Sequence, residues 1–173
     1  MKKIILLGYM GSGKSTIGKK LAEVHQLEHR DLDEIIEKKE GNSISEIFSQ
    51  RGELYFRKQE HLYFKEQLDS SERFVLSLGG GTPCYAQNHL FLQNENVLSI
   101  YLKTPIETIV KRIQNSAHIR PLLQNKNTEE LSEYVAMHLF DRSFFYHQAH
   151  HVVNTDGKSV DQLVAEIGSY FDK

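Results

Sequence analysis

The chain has 173 residues, a formal charge of −2 and a pI near 6.5, so it is about one domain long and lacks the basic excess that nucleic-acid or membrane-surface binding requires. Its single cysteine, Cys84, excludes an internal disulfide, and we find neither a signal-peptide pattern nor an apolar span of about 18 residues. We therefore expect a soluble cytoplasmic protein that binds small ligands.

Short apolar runs alternate with longer helical patterns through most of the chain, which is typical of βαβ units and a parallel sheet. Strands are predicted at 3–7, 28–31, 74–78, 97–102 and 151–154. Helices are predicted at 14–25, 33–40, 45–49, 54–68, 105–114, 128–150 and 159–171. Thr104 is the expected cap of the helix that starts at Pro105. The polar segment 115–127 predicts a long loop.

The turn after the first predicted strand carries the clearest chemical signal. Residues 8–15, Gly-Tyr-Met-Gly-Ser-Gly-Lys-Ser, match the G-x-x-x-x-G-K-[ST] phosphate loop and lie between a predicted strand and a predicted helix. In this motif backbone N–H groups and the helix N-terminus bind phosphate, Lys14 reaches the terminal phosphates and Ser15 can ligate Mg²⁺. The alternative is a glycine-rich turn without a ligand. The motif and its flanks favour a site for a nucleoside triphosphate.

Two acidic residues lie at the end of the second predicted strand. Asp31 and Asp33 fall at the carboxyl edge of the sheet, where the ligands of open α/β sheets bind. In phosphoryl transfer one carboxylate can hold Mg²⁺ and another can accept a substrate hydroxyl or its proton. The alternative for either residue is a helix N-cap.

Two further features suggest a site for the substrate that would accept the phosphoryl group. Arg57 and Glu60 are three residues apart in a predicted helix, so the acid can orient the guanidinium toward a carboxylate ligand. From spacing alone a solvated surface pair is favoured. Gly79, Gly80 and Gly81 end the third predicted strand, where a ligand can approach the backbone closely, although a flexible turn is the alternative.

Two later arginines can contact anions. Arg120, in the predicted loop, can bring a cation over the transferring phosphate or can be solvated. Arg142 lies among apolar helical neighbours and can bind an anion or pair with Asp141 or Glu133. The histidine cluster at 147–151 lacks the ligand set of a structural zinc site, so we predict no metal there.

Taken in order, these motifs resemble the shikimate kinase family. The matching segments are Gly8 to Gly18, Asp31-Leu32-Asp33, Phe56-Arg57-x-x-Glu60, Gly79 to Gly81, Arg120 to Leu123 and Arg142-x-x-x-Tyr146. The resemblance implies a three-layer α/β P-loop NTPase fold, similar to nucleoside monophosphate kinases, with a five-stranded parallel sheet of order 2-3-1-4-5. It also implies a single kinase domain over 1–173, a substrate-binding region at about 33–62 and a lid at about 113–127.

The resemblance also implies roles for individual residues. Shikimate would be bound by Asp33, Arg57, Gly79, Gly80, Gly81 and Arg142, with Glu60 orienting Arg57. The phosphates of ATP would be held by Gly11, Ser12, Gly13, Lys14, Ser15 and Thr16. Arg112 would pack on adenine and Arg120 would close over the γ-phosphoryl group. Mg²⁺ would be ligated by Ser15 directly and by Asp31 through water, and the catalytic residues would be Lys14, Asp33 and Arg120.

The chain departs from the family pattern in two segments. Residues 114–119 lack the glycines common before the lid, and Phe144, Phe145 and His150 replace the proline and small residue often seen near Arg142. The expected reaction is phosphorylation of the 3-hydroxyl of shikimate by ATP, carried out by a monomer in aromatic amino-acid synthesis. The rival functions are a gluconate-type or nucleoside-monophosphate kinase, and a nucleotide sensor without catalysis.

Overall fold

A computed structural model of the chain describes residues 2–116 and 127–171. Within these ranges, five strands form one parallel sheet in the order β2-β3-β1-β4-β5. The strands are β1 Lys3–Leu7, β2 Glu28–Asp31, β3 Phe74–Ser77, β4 Val97–Lys103 and β5 His151–Asn154. The helices are α1 Lys14–Val24, α2 Leu32–Glu40, α3 Ile44–Asp69, α4 Ile106–Gln114, α5 Thr128–Tyr146 and α6 Val160–Gly168. The predicted sheet and its strand order are confirmed.

The central strand β1 is buried on both faces of the sheet. Ile5 and Leu7 belong to a core that includes residues of α2 and α3, whereas Ile4 and Leu6 belong to a second core that includes residues of α1 and α6. All four side chains are fully buried. A strand covered on both sides needs apolar residues at every position, which explains the continuous apolar run in its sequence. The molecule therefore has the three layers that were predicted.

Helix α3 joins two segments that the sequence separates. Gly52 within it has φ 80° and ψ 168°, a non-helical conformation with a positive φ that favours glycine. The predicted break between 45–49 and 54–68 is therefore present as a kink and not as a loop. The kink lies five residues before Arg57.

Most predicted bounds agree with the structure within one residue, but the predicted ends of α5 and α6 and the predicted cap of α4 were wrong. Helix α6 ends at Gly168 and not at residue 171. The N-cap of α4 is Pro105 and not Thr104, whose hydroxyl instead accepts a hydrogen bond from Thr155 Oγ1 at 2.8 Å. Helix α5 ends at Tyr146 rather than at His150, because the chain turns there and the backbone N–H of His150 donates to Ser99 Oγ at 2.9 Å. This turn brings the chain to the start of β5.

Two 3₁₀ turns, Thr82–Cys84 and Asn88–Gln93, connect β3 to β4 and were not predicted. The predicted loop lies largely outside the described residues, as does Arg120. Across 2–116 and 127–171, no helix combines the length and hydrophobicity that crossing a membrane requires. The parallel strands end at one edge of the sheet, and the segments that follow β1, β2 and β3 there carry most of the predicted site residues.

Candidate functional site

The phosphate loop connects β1 to α1. Gly8, Gly11 and Gly13 have φ of 148°, 76° and 95°, values that residues with a side chain rarely adopt. A Cβ on Gly8 would also lie 2.9 Å from the carbonyl oxygen of Leu102. Gly13 is the N-cap of α1 and has no side chain, so it leaves the first N–H groups of the helix uncapped, as a phosphate site requires.

Lys14 and Ser12 place polar groups at this loop. The ammonium of Lys14 donates to the carbonyl oxygens of Gly8 and Tyr9, each at 2.9 Å, so the side chain lies across its own loop. Ser12 is 1 % exposed, and its hydroxyl has no hydrogen-bond partner in the described part of the chain. A buried hydroxyl without a partner is costly, and a bound phosphate would supply one.

Asp31 links the phosphate loop to the end of β2. The hydroxyl of Ser15 donates to Asp31 Oδ2 at 3.0 Å, and Asp31 Oδ1 accepts from the backbone N–H of Asp33 at 3.0 Å. Asp31 is therefore the N-cap of α2, which was the alternative role, and it is also in contact with the loop. Hydroxyl and carboxylate oxygens are hard ligands of the kind that Mg²⁺ prefers, so the pair fits the predicted metal site.

A pocket beside the phosphate loop brings together the residues predicted to bind the acceptor. We call it the acceptor pocket, and it is lined by Met10, Asp33, Ile44, Phe48, Phe56, Arg57, Glu60, Gly79, Gly80, Gly81 and Arg142. Met10 belongs to the phosphate loop itself. A Cβ on Gly80 would lie 3.5 Å from Gly8 O and 3.6 Å from Met10 N. The pocket and the loop are therefore parts of one cleft.

The triple glycine makes room for the side chains around it. A Cβ on Gly79 would lie 2.8 Å from Asp33 Oδ1, and a Cβ on Gly81 would lie 2.9 Å from both Nη1 and Nη2 of Arg57. Real Cβ atoms almost never approach other atoms so closely. The glycines are needed because the carboxylate and the guanidinium lie directly against the backbone, and not only because the turn is flexible.

Arg57 and Glu60 form an ion pair whose carboxylate is buried. Arg57 Nη1 donates to Glu60 Oε2 at 2.8 Å, and Glu60 is 1 % exposed. The other oxygen, Oε1, accepts from Thr82 Oγ1 at 2.6 Å. Glu53, on the solvent side, lies 3.4 Å from the same guanidinium. Spacing alone favours a solvated surface pair, and that interpretation was wrong, because Glu60 faces the turn after β3 and not solvent.

Arg142 approaches the pocket from α5. Its Nη1 would lie 3.3 Å from a Cβ on Gly80, and its Cζ lies 5.3 Å from the centre of the Tyr9 ring. The ion pairs among the described residues do not include one between Arg142 and Asp141 or Glu133, the acids considered for it. Its position instead favours the anion-binding alternative.

Tyr146 supports the backbone of the triple glycine. Its hydroxyl donates to Gly80 O at 2.6 Å. Burial raises the pKa of the Tyr146 hydroxyl well above its ordinary value, against the opposing effect of the nearby Arg142 cation. The hydroxyl therefore stays protonated and remains a donor at neutral pH.

A second groove lies on the other side of the phosphate loop. Arg112 Nη1 donates to Gly11 O at 2.7 Å, so this side chain lies against the loop. The groove is lined by Gly11, Ser12, Gly13, Thr16, Ile17, Arg112, Thr155, Lys158, Val160 and Leu163. Thr155 and Lys158 were not predicted. Their position just after the carboxyl end of β5 is the signal that points to them, because that is the edge where ligands bind.

The histidines near the end of α5 have structural contacts. His147 Nδ1 lies 2.8 Å from Ser143 O, His150 Nδ1 lies 2.9 Å from Ser99 Oγ, and the His151 ring stacks on Tyr170. In residues 2–116 and 127–171 there is no group of three or more His, Cys, Asp or Glu side chains that could hold a metal ion by themselves.

The comparisons with known proteins agree with one another. The family model described as shikimate kinase matches residues 10–171. A shikimate kinase from Flavobacterium johnsoniae is 52% identical over 167 residues, which is 96% of this chain and 97% of the relative. One from Flavobacterium psychrophilum is 50% identical with the same coverage.

Solved structures give the same result. A shikimate kinase from Bacteroides thetaiotaomicron has a TM-score of 0.89 at 32% identity, covering 99% of this chain and 97% of that one. A shikimate kinase from Acinetobacter baumannii in complex with shikimate has a TM-score of 0.86 at 34% identity, covering 98% and 92%. A gluconokinase from Sinorhizobium meliloti, at 16% identity and a TM-score of 0.57, shares the fold alone. The chain belongs to the shikimate kinase family and is an ATP-dependent small-molecule kinase.

Proposed function

We propose that this protein transfers the γ-phosphoryl group of ATP to the 3-hydroxyl of shikimate, a step of aromatic amino-acid biosynthesis. The observation that carries this proposal is the meeting of Arg57, Arg142 and Asp33 in the acceptor pocket, next to the phosphate loop. Guanidinium groups are suited to bidentate binding of a carboxylate, and a carboxylate side chain can bind hydroxyl groups. Shikimate has one carboxylate and three hydroxyls, so it matches this set of side chains.

In the proposed complex the acceptor is fixed at both ends. Arg57 and Arg142 bind the carboxylate of shikimate, and the backbone at Gly79, Gly80 and Gly81 closes the pocket. Asp33 orients the hydroxyl and can accept its proton as the hydroxyl oxygen forms a bond to the γ-phosphorus. In the same step the bond between that phosphorus and the bridging oxygen breaks, and ADP leaves with the electron pair.

Charge stabilisation is the main contribution of the protein to this step. In phosphoryl transfer the protein positions the reactants and offsets developing negative charge, so cations around the phosphates matter more than a base. Among the described residues, Lys14 is the cation that the motif directs to the terminal phosphates, and carbonyl oxygens hold it at the loop. Arg120 is the second one by resemblance, and it lies outside the described residues.

The nucleotide and its metal fit the other half of the cleft. We propose that Gly11, Ser12, Gly13, Lys14, Ser15 and Thr16 bind the phosphates. Arg112 would contact adenine from its place beside the loop. Ser15 would ligate Mg²⁺ and Asp31 would hold it through water, and the bound ion would offset charge on the phosphates.

The remaining proposals concern organisation. Residues 1–173 would form one kinase domain that acts as a monomer in the cytoplasm. The substrate-binding region at about 33–62 is supported by the α2 and α3 residues that line the acceptor pocket, and Gly52 marks a bend within it. The lid at about 113–127 falls largely outside the described residues.

A substrate panel tests the proposed function. ADP release is measured in a coupled assay with shikimate, gluconate and nucleoside monophosphates as acceptors, and the product is identified by mass spectrometry. We expect ADP release that depends on shikimate and forms its 3-phosphate, with none from the other acceptors. Faster release with gluconate or a nucleoside monophosphate would favour that kinase instead, and tight ATP binding without release would favour a nucleotide sensor.

A further inference from the structure

Arg57 separates the acceptor pocket from a second cavity on the surface. This outer groove is lined by Glu53, Leu54, Arg57, Lys58, His61, Tyr85 and Ala86. Arg57 lines both cavities, whereas Tyr85 lines the outer groove and is not one of the described residues that line the acceptor pocket. Tyr85 therefore stands behind Arg57 as seen from a bound acceptor.

The Tyr85 ring is in direct contact with the guanidinium. Its centre lies 3.9 Å from Arg57 Cζ, compared with 5.1 Å for the Phe56 ring and 6.0 Å for the Phe48 ring. A cation within about 6 Å of an aromatic face is attracted by the ring quadrupole. Tyr85 is thus the nearest of the three rings, and it lies on the side away from the acceptor.

Arg57 has a competing partner on that outer side. Glu60 holds Nη1 from within the protein, but Glu53, which is 55% exposed, lies 3.4 Å from Nε. A guanidinium that turned further toward Glu53 would withdraw donors from the acceptor pocket. The Tyr85 ring limits that rotation because it covers a face of the guanidinium.

The short turn at 82–88 contains Tyr85 and also binds Glu60, and these two residues contact Arg57 from different sides. Thr82, at the start of this turn, donates through Oγ1 to Glu60 Oε1 at 2.6 Å. The backbone oxygen of Tyr85 accepts from Asn88 N at 2.9 Å, and the fully buried Asn88 side chain donates to Thr82 O at 2.9 Å. The positions of Glu60 and of Tyr85 relative to Arg57 are therefore set together.

We propose that Tyr85 is a positioning residue for recognition of the acceptor carboxylate. Its ring stacks on the outward face of Arg57 and keeps the guanidinium directed into the acceptor pocket. The inference rests on the proposed function, since it is that function which gives Arg57 the carboxylate of shikimate.

Substitutions of Tyr85 test this role through the Michaelis constant. Tyr85→Leu removes the aromatic face, and we expect it to raise the KM for shikimate about 3- to 30-fold, the range of a cation–π contact, with kcat within about twofold of wild type. Tyr85→Phe keeps the ring and should retain the wild-type KM. Leu54→Ala is the matched control, because Leu54 is 72 % exposed on the same outer groove. It should leave both constants unchanged.

A ligand without the carboxylate distinguishes positioning from general loosening of the pocket. The carboxamide of shikimate should compete with shikimate equally well in the wild type and in Tyr85→Leu, because it carries no anion for Arg57 to hold. The KM for ATP should also be the same in both proteins. If Tyr85→Leu does not fold, Tyr85→Met gives the same comparison with an unbranched side chain.

The outcomes separate this inference from the function on which it rests. An unchanged KM for shikimate in Tyr85→Leu would overturn the role of Tyr85, as would an equal loss of carboxamide binding or a raised KM in Tyr85→Phe. In each of those cases the wild type would still phosphorylate shikimate. Wild-type protein that releases no ADP with shikimate would instead overturn the proposed function.

Discussion

The hydroxyl of Ser15 donates to Asp31 Oδ2 at 3.0 Å, which joins the phosphate loop to the end of β2. The other oxygen of the same carboxylate caps α2 by accepting from Asp33 N. Asp31 thus has a structural contact in addition to its proposed metal role. The two can be separated, because asparagine is as good an N-cap as aspartate but carries no charge to attract a cation.

We expect Asp31→Asn to keep the stability of the wild type and to raise the Mg²⁺ concentration for half-maximal rate by about 10- to 100-fold, as for other residues that support a metal site. Asp31→Ala should have the same effect on Mg²⁺ and should also lower the free energy of unfolding by about 1 kcal/mol through loss of the cap. Initial rates over a Mg²⁺ titration and urea unfolding measure the two effects. An unaltered Mg²⁺ requirement in Asp31→Asn would remove Asp31 from the metal site.

Lys14→Ala should lower kcat by at least about 10²-fold, since the phosphate-loop motif directs this ammonium to the terminal phosphates, where it offsets charge on the transferring phosphoryl group. The substitution should also lower the free energy of unfolding by about 1–3 kcal/mol, because the ammonium donates to carbonyl oxygens of two buried residues, Gly8 and Tyr9. Lys20→Ala is the control on the same helix, since Lys20 pairs only with the exposed Glu23 in the described contacts. Steady-state kinetics measure kcat in both variants. A wild-type kcat in Lys14→Ala would contradict the role of Lys14 in offsetting phosphate charge.

The sheet and the phosphate loop could be predicted from the sequence because their signals are local. The run from Ile4 to Leu7 is apolar at each position as burial on both faces requires, and the glycines of the loop have the spacing that a phosphate needs. The bounds of β1 were predicted to the residue for this reason.

The burial of Glu60, the partner of Arg57, could not be predicted from residue spacing within α3. Glu60 is buried because Thr82 donates to it and because Gly79 leaves room beside it, and both lie on the turn after β3. No periodicity within α3 contains that information. Only the assembled fold, or resemblance to a family, identifies the pair as part of a site.

The three glycines after β3 should differ in how substitution by alanine affects acceptor binding. Gly79→Ala places a Cβ under 3.0 Å from an Asp33 oxygen, and Gly81→Ala places one under 3.0 Å from two Arg57 nitrogens. Each substitution would displace a side chain that is proposed to bind shikimate. Loss of about 1.4 kcal/mol of binding energy raises the KM about 10-fold, so each variant should raise the KM for shikimate by at least that factor. Gly80→Ala places the Cβ no closer than 3.3 Å to its nearest neighbour, Arg142 Nη1, so it should have the smallest effect. The KM for ATP is the internal control. A larger effect at Gly80 than at the other two would contradict this geometry.

The thiol of Cys84 should react slowly at neutral pH. Burial raises its pKa from 9.0 to about 11, although the cations Arg142 and Arg57 oppose the shift. Roughly one molecule in a thousand is then a thiolate at pH 8, so alkylation by iodoacetamide should rise about tenfold per pH unit from pH 7 to 10. Because the raised pKa disfavours the thiolate in the folded state, this group's contribution to stability is present below pH 9 and is lost toward pH 11.

Labelling rates measured by mass spectrometry across that pH range test the raised pKa of the Cys84 thiol. Protein unfolded in guanidinium chloride is the reference. The unfolded chain should label much faster at pH 8. A native rate that levels off below pH 9 would show an ordinary thiol and would contradict burial as the dominant influence.

Replacing Arg57 has two consequences that must be separated. Arg57→Ala should raise the KM for shikimate, but it also leaves the buried Glu60 carboxylate without its cation, which commonly destabilises a protein by about 3–5 kcal/mol. The double variant Arg57→Ala/Glu60→Gln removes that unpaired charge, and Arg57→Lys keeps a cation but loses the planar fork. We expect all three to raise the KM for shikimate while the double variant recovers much of the lost stability. Thermal unfolding and initial rates on the same preparations measure both, and a wild-type KM in the stable double variant would refute the binding role of Arg57.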